Sequence, residues 1–254
     1  MISWTAVYVL WLREIKRFSR ARSRVLGSLA MPIFFMVSLG LGLNQVALPG
    51  LERNIGYLSF LVPGIIGMSL LFSSAFAGLS VLWDKEFGFL KEIMVAPVNR
   101  LSIVIGRVTG GTSIVIFQAI IILLFSFFLG FKFPGLFFLG LAFIFMILIS
   151  LTFLGLGLIF ASLMKDMQGF SLVMNFVIFP LFLLSGALYP IRNLPTSIRF
   201  LAYFDPLTYG VDGLRWSLLQ MSSFPWILDL SFMVLFSLIM LGLGAFLFER
   251  QEST

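Results

Sequence analysis

The chain has 254 residues, of which 60% are apolar and only 11% are charged, and its net charge is +6. A soluble domain has about half apolar and about a quarter charged residues, so this composition excludes a water-soluble fold. It predicts an all-α integral membrane protein, and the complete lack of Cys and His removes disulfides, the commonest metal ligands and the commonest general base. We therefore predict no catalytic and no metal-binding residues.

The first element is an amphipathic helix in residues 1–24. Its apolar residues recur at steps of three and four, while charged residues take the other side, which is typical of a helix lying in the membrane interface. A signal peptide is not expected, because the basic residues follow the apolar ones. A simple basic anchor is the alternative. The candidate interfacial residues are Trp4, Trp11, Arg13, Lys16 and Arg17.

Residues 25–254 are predicted to form one membrane domain with six spanning helices, since a span needs about 20 mostly apolar residues. Pro63 and Pro180 fall inside spans, where they kink a helix, and Pro134 is predicted in the first turn of the fourth span. The six charge-poor stretches are 25–52, 54–83, 108–131, 133–164, 167–191 and 230–248.

Basic residues in the loops predict that both termini are cytoplasmic. With that orientation 12 of the 17 Lys and Arg residues lie on the inner side, including Arg107, and five lie outside. The same distribution explains the positive charge without a nucleic-acid partner. The outer five are Arg53, Lys132, Arg192, Arg199 and Arg215.

The middle of every predicted span lacks ionisable residues, which normally mark ion and proton pathways in membranes. Asp229, at the outer edge of the last span, comes nearest. The dipeptide Gly-Lys of a phosphate-binding loop is also absent from the sequence. Energy for transport would therefore have to come from another chain. Close helix packing is predicted at the glycine pairs Gly40 and Gly42, Gly106 and Gly110, and Gly155 and Gly157.

A charged segment, WDKEFGFLKEIMVAPVNR at residues 83–100, separates two of these spans. Read as a helix over about 83–96, it has an apolar stripe and charges of both signs on the remaining surface, which suits docking into a groove on a partner. Pro97 ends the helix. A solvated loop is the alternative. The candidate docking residues are Asp84, Lys85, Glu86, Phe87, Gly88, Leu90, Lys91, Glu92, Met94, Pro97 and Arg100.

Residues 187–216 are too polar to span the membrane and too aromatic for a free loop. Three prolines divide the segment, so we predict short helices in the outer interface, where Tyr and Trp are enriched. An ordinary ordered loop is the alternative. The candidate residues of this outer re-entrant region are Gly186, Tyr189, Pro190, Pro195, Asp205, Pro206 and Tyr209.

Three blocks of the sequence carry a family resemblance. Residues 57–71 read YLSFLVPGIIGMSLL, residues 83–92 read WDKEFGFLKE before APVNR, and residues 184–190 read LSGALYP before DPLTY at 205–209. In this order they resemble the type-2 ATP-binding-cassette export permeases of the drug-exporter branch, over essentially the whole chain. Phe89 stands where that family often has Thr, which puts fine contacts in question.

The resemblance implies a permease without its own ATPase site. Two permeases, identical or paired with a relative, would assemble with two cytoplasmic ATPase subunits, which would bind the ATP and Mg²⁺. Residues 83–95 would be the coupling helix, and the first, second and fifth spans would form the pathway. The implied cargo is a hydrophobic or amphiphilic small molecule, drug-like or lipid-like, leaving across the cell membrane.

Other functions remain open at this point. The same machinery could export a lipid-linked polysaccharide or lipo-oligosaccharide. A secondary transporter or channel is disfavoured by the lack of charges in the spans and of an internal repeat. A membrane enzyme or assembly scaffold is disfavoured because no acid pair lies in a span.

Overall fold

The computed structural model describes residues 3–43, 56–86 and 99–251, and all the secondary structure within these ranges is helical. The α-helices are α1 (Trp4–Arg20), α2 (Arg22–Gly42), α3 (Tyr57–Ala77), α4 (Leu79–Glu86), α5 (Arg100–Phe128), α6 (Leu136–Leu163), α7 (Met167–Leu184), α8 (Thr196–Ala202), α9 (Pro206–Leu219) and α10 (Trp226–Gln251), with a 3₁₀ turn at Ile191–Asn193 between α7 and α8.

Six helical stretches in the described residues are long and apolar enough to cross a membrane, which confirms the predicted architecture. Helices α3 and α4 together make the second span, because only Gly78 separates them. The spans are Arg22–Gly42, Tyr57–Asp84, Leu101–Phe128, Leu136–Leu163, Met167–Leu184 and Trp226–Arg250.

Helices α3 and α6 form the centre of the bundle. Helix α3 is buried along nearly all of its length, from Tyr57 to Ala75. Helix α6 packs against α10, α3, α9 and α5. The side chains of Phe145, Ile149 and Phe153 form part of the core on α6. The second span therefore lies inside the protein and touches most of the other elements.

Helices α2 and α7 lie at the periphery, and each buries one narrow stripe. On α7 the buried residues recur every four positions, from Phe170 to Phe182. On α2 the buried residues are Pro32, Met36 and Gly40, at the same spacing. This spacing places residues on one side of a helix, so most of the surface of both helices faces away from the bundle.

The structure changes two details of the predicted spans. Helix α5 begins at Arg100, so Arg107 lies inside the third span rather than in a loop as predicted. Pro134 precedes α6, whose N-cap is Gly135, so its predicted place in the first turn is wrong. Pro63 and Pro180 lie inside helices as predicted, and Pro32 does so as well.

Five of the six glycines predicted to allow close packing do so. A side chain at Gly155 would overlap the backbone of Met240 on α10, and one at Gly157 would overlap the carbonyl of Ala75 on α3. Gly42 is the exception, because nothing lies within 4 Å of where its Cβ would be. Small residues let membrane helices approach closely, and here they do so mainly around α6 and α5.

Candidate functional site

The N-terminal helix α1 packs lengthwise on α5. A Cβ at Gly106 would lie 2.8 Å from Cβ of Leu10, and one at Gly110 would lie 2.9 Å from Cβ of Glu14. The spacing of four residues puts both glycines on one face of α5, which forms a groove for α1. Trp11 fixes the position by donating a 3.1 Å hydrogen bond from Nε1 to Oγ of Ser113.

The buried face of α1 differs from the predicted apolar stripe. Val7, Leu10 and Glu14 are buried, whereas Trp4 is 72% exposed and Lys16 is also exposed. The periodicity of the sequence predicts the helix, but it does not predict that a carboxylate faces the bundle. Whether the exposed face of α1 lies in the membrane interface stays a prediction.

Glu14 is buried because it belongs to a group of ionised side chains, which we call the Asp84 cluster: Arg13, Glu14, Arg17, Asp84 and Arg107. Arg13 donates two hydrogen bonds of 3.0 Å each, one to each carboxylate oxygen of Asp84. Nη2 of Arg107 lies 2.9 Å from Oδ2 of Asp84. Nη1 of Arg17 lies 3.6 Å from Oδ1 of Asp84, and its Nη2 donates a 2.9 Å hydrogen bond to Glu14.

The Asp84 cluster joins three elements through buried charges. Asp84 on α4 is 6% exposed, Arg107 on α5 is 5% exposed, and Glu14 on α1 is 7% exposed. Buried ion pairs of this kind hold when partners and geometry are complete, and removing one partner leaves an uncompensated charge. The bidentate contact from Arg13 also fixes an orientation, since the planar guanidinium matches a carboxylate. The end of the second span is therefore fixed to α1 and α5.

Just before the cluster, the second span crosses α6 with backbone against backbone. A Cβ at Gly78 would meet the carbonyl group of Gly157, and a Cβ at Gly157 would meet that of Ala75. Gly78 also separates α3 from α4. At this crossing neither Gly78 nor Gly157 has room for a side chain. The short helix α4, which carries Asp84, begins directly after it.

The candidate docking residues are only partly described. Asp84 is buried inside the protein, whereas the sequence pattern placed it on the charged surface of the predicted docking helix. Lys85 and Glu86 end α4, and Arg100 begins α5. The apolar stripe and the rest of the predicted coupling helix lie outside the described residues: Phe87, Gly88, Leu90, Lys91, Glu92, Met94 and Pro97.

The opposite end of the bundle holds the predicted outer re-entrant region, and the prolines divide it as predicted. Pro190 precedes the 3₁₀ turn, Pro195 precedes α8, and Pro206 is the first residue of α9. Asp205 caps α9 by accepting a 2.9 Å hydrogen bond from the backbone N–H of Leu207. Helix α9 is buried against α6, α10 and α3, whereas α8 exposes Phe200 and Leu201. The placement of this region in the membrane interface stays a prediction.

Arg215 ties α9 to the second span. Its guanidinium lies 3.9 Å from the ring centroid of Phe60 on α3, and its Nη2 donates a 3.0 Å hydrogen bond to the carbonyl of Gly186. Gly186 has φ +74°, a conformation that favours glycine. A Cβ at Gly64 on α3 would overlap the carbonyl of Ala187. Burial lowers the pKa of Arg215 to about 10, and the nearby Asp212 opposes this shift.

The tyrosines and acids of this region are engaged with the backbone. Tyr189 donates to the carbonyl of Leu183, and Tyr209 donates to that of Tyr203 while its ring stacks on Phe232 at 4.5 Å. Asp212 accepts from the N–H groups of Ser223 and Phe224. Burial raises the pKa of Tyr189, Tyr209, Asp205 and Asp212.

Sequence reasoning missed four residues that the structure brings into these two sites. Arg107 and Arg215 had been counted as topological charges, Glu14 had been placed on the charged side of α1, and Asp212 had no assigned role. A signal existed for Arg107, because it follows the first glycine of the pair Gly106 and Gly110 on an otherwise apolar stretch. A charge next to a close-packing glycine is expected to have a partner on the helix that packs there.

Comparison with known proteins identifies the family. The family model described as ABC-2 type transporter matches residues 5–219, which include both ends of the second span. The chain belongs to the ABC-2 type transporter family. It is a transport permease of this family, that is, a multi-pass membrane subunit and not an ATPase.

The similarity to named relatives extends along most of this permease. It is 29% identical over 239 residues to the inner membrane transport permease YadH of Escherichia coli (strain K12), covering 92% of this chain and 90% of YadH. It is 28% identical to the putative transport permease ycf38 of Cyanophora paradoxa, covering 82% and 72%. Nodulation protein J of Rhizobium leguminosarum bv. viciae is 26% identical, covering 84% and 81%.

Proposed function

We propose that this permease is the membrane subunit of an ATP-driven exporter and that a separate ATPase subunit moves it through residues 83–96. The Asp84 cluster is the observation that carries the proposal. Asp84 begins the charged segment, and it is held by arginines from α1 and α5. A force applied to the segment would therefore reach three elements at once.

The geometry suggests how such a movement passes into the bundle. The Gly78–Gly157 crossing holds the second span against α6 at one point. Beyond it, α4 is attached to α1 and α5 through side-chain charges. A displacement of α4 would thus shift α1 and the start of the third span together, while the buried part of α3 stays packed.

Two permeases, identical or related, are proposed to form the transport pathway with two cytoplasmic ATPases that bind ATP and Mg²⁺. The outward surfaces of α2 and α7 support this assembly, because they carry large exposed apolar side chains. On α7, Leu172 is 73% and Phe176 is 82% exposed, and on α2 Phe34 is 69% exposed. Lipid or a second permease can cover such surfaces, and the family pathway runs between the two copies.

The proposed cargo is a hydrophobic or amphiphilic small molecule, drug-like or lipid-like, and both termini are proposed to be cytoplasmic. The absence of ionisable residues from the middle of the predicted spans supports an apolar route. A lipid-linked polysaccharide or lipo-oligosaccharide is the alternative cargo, and the transport assay below distinguishes the two.

The test replaces the apolar residues proposed to dock on the ATPase. Phe87→Asp with Leu90→Asp should abolish co-purification of the ATPase, or leave ATP hydrolysis without transport, while the spans still insert. Transport is measured in vesicles that contain permease and ATPase, with a fluorescent amphiphile or a lipid-linked glycan as cargo. The matched control is Phe200→Asp with Leu201→Asp, which places the same charges on exposed apolar residues of α8 at the other end.

Two results would overturn the proposal. Unchanged co-purification together with unchanged transport in the Phe87 and Leu90 variant would refute the docking role. Uptake driven by an ion gradient in vesicles that contain the permease alone, without nucleotide, would refute an ATP-driven exporter.

A further inference from the structure

A partly open cavity lies between helices of the single permease, at the α1 end of the bundle. Its volume is about 380 Å³, which is within the range of small-molecule sites. It lies between the inner part of α2, the α3–α4 stretch and α5, with Leu154 and Leu158 of α6 closing one side. Helix α2 meets α3 at Gly40 and Leu58, and the cavity occupies the space further towards α1.

Three buried polar residues that line this cavity have side-chain atoms without partners. Of the described residues that line it, Arg107 is 5% exposed, Gln118 is 3% exposed and Ser69 is 2% exposed. Nε and Nη1 of Arg107, Oε1 of Gln118 and Oγ of Ser69 have no hydrogen-bond partner among the described residues. A buried polar group without a partner is costly, particularly in a membrane protein, and such groups mark sites for a ligand.

Positive charge predominates along the wall of the cavity. Arg17, Arg24 and Arg107 line it, against Glu14 as the one acid among its described lining residues. Arg24 at the beginning of α2 lies over the ring of Trp83 on α4 at 5.8 Å, so a cation sits between the two helices that border the cavity. This arrangement favours a negatively charged group at this end.

The rest of the cavity wall is largely apolar. Its side chains offer no partner for a charged group. A free inorganic anion bound at the arginines would leave these apolar side chains without a contact. A ligand that fills the cavity should therefore combine an anionic head with a hydrocarbon chain. The apolar lining residues are Met31, Met68, Phe72, Phe76, Ile114 and Val115.

We propose that the cavity binds one anionic phospholipid, with its phosphate at Arg24, Arg17 and Arg107 and an acyl chain along Phe72 and Phe76. The hydroxyl of Ser69 and the remaining N–H of Gln118 Nε2, whose other N–H is used by Ser28, would donate to the ester oxygens. The site is lined by helices of one permease, and the proposal goes beyond the proposed export function. A lipid there would contact α2, α5 and Trp83, which directly precedes Asp84.

The experiment measures lipid binding to the purified full-length permease by native mass spectrometry in detergent. Phosphatidylglycerol, phosphatidylcholine with the same chains, and inorganic phosphate are titrated separately. Phosphatidylglycerol should remain bound at a stoichiometry of one per chain, phosphatidylcholine should bind more weakly, and phosphate should not compete at equal concentration. Arg24→Gln should weaken phosphatidylglycerol binding about fivefold, the effect of one basic residue near an anionic lipid.

Matched controls lie on the same helix. Arg22→Gln removes a charge that is also exposed but does not line the cavity, and it should leave binding unchanged. Gly27→Leu adds a side chain at a lining position with open space around it, whereas Gly42→Leu does so at the far end of α2. Gly27→Leu should reduce binding and Gly42→Leu should not.

Three results would overturn the proposal: equal binding of the two lipids, displacement of phosphatidylglycerol by equimolar phosphate, or identical binding by the Arg24→Gln and Arg22→Gln variants. The readout is independent of the proposed coupling role. Loss of ATPase docking in the Phe87 and Leu90 variant, with lipid binding intact, would separate the two.

Discussion

At the α1 end of the second span, Asp84 is held by ionised side chains from two other helices, whereas at the other end Tyr57 and Gly64 pack against backbone. Tyr57 donates a 3.0 Å hydrogen bond to the carbonyl of Leu188, and Gly64 meets the carbonyl of Ala187. Backbone contacts between glycines and carbonyls allow little displacement, because nothing between them can rearrange.

Ion pairs behave differently, because a carboxylate with several arginines around it can exchange partners. The Asp84 cluster contains Arg13, Arg17 and Arg107 around one carboxylate. The two ends of the second span are therefore held by different kinds of contact, with the Gly78–Gly157 crossing between them. Each prediction below tests this difference between the two ends.

The largest effect is expected from Asp84→Asn. The change leaves Arg13, Arg17 and Arg107 without their shared anion, and breaking a buried ion pair in this way costs roughly 4 kcal/mol. The melting temperature of the purified protein should fall, and high salt should recover part of it. Lys16→Gln, at an exposed charge on α1, is the control. The double variant Asp84→Leu/Arg107→Met should be more stable than Asp84→Asn, and the idea fails if Asp84→Asn melts like the unmodified protein.

The next largest effect is expected from a substitution at the Gly78–Gly157 crossing. Gly157→Leu forces a side chain against the carbonyl of Ala75, and overpacking costs roughly 3 kcal/mol when backbone must move. Folded protein should be lost on size-exclusion chromatography in detergent. Gly140→Leu is a matched control on the same helix, since nothing lies within 4 Å of that position. Equal recovery of both variants would show that the crossing is not tight.

At the α9 end, Arg215→Met should cost roughly 2 kcal/mol. The carbonyl of Gly186 loses its donor and Phe60 loses the guanidinium over its ring. Because no carboxylate forms an ion pair with Arg215 among the described residues, the loss should change less with salt than the loss in Asp84→Asn. Melting curves at two salt concentrations check this, and a salt response as large as that of Asp84→Asn would remove the distinction between the ends.

A smaller, pH-dependent effect is expected from Asp205→Asn. Burial raises the pKa of Asp205 well above its ordinary 3.8, so the folded state holds the proton at a pH where the unfolded state has lost it. The stabilisation by this proton is complete below about pH 4 and is lost as the pH rises through the raised pKa. Asn resembles the protonated acid, so the variant should equal the unmodified protein at pH 4 and exceed it at pH 7. A difference in melting temperature that shrinks with rising pH would contradict this.

The smallest effect is expected from Ser113→Ala, which removes the acceptor of the Trp11 hydrogen bond. A partly buried hydrogen bond contributes about 1 kcal/mol or less, and the contacts at Gly106 and Gly110 would still hold α1 in place. Proteolytic release of α1, followed by mass spectrometry, should become only slightly faster. Gly110→Leu is the comparison, because it should release α1 far more readily.

The sequence by itself determined the features that depend on local composition. The number of spans follows from the length of the apolar stretches, and the division of residues 187–219 follows from prolines that start each short helix. The amphipathic helix α1 follows from its periodicity. Each of these depends on residues within about 20 positions of one another, so a pattern in the sequence is enough to predict them.

Only the tertiary structure decided which charges meet. Arg13 and Asp84 are 71 positions apart, and Arg215 and Gly186 are 29 apart, so no local pattern relates them. The same holds for the Gly78–Gly157 crossing and for the cavity beside Arg107. The physical reason is that a buried charge or a close backbone contact depends on the helix packed opposite. That partner is set by the packing of the whole bundle, and only then does Asp84 become a connection between three helices.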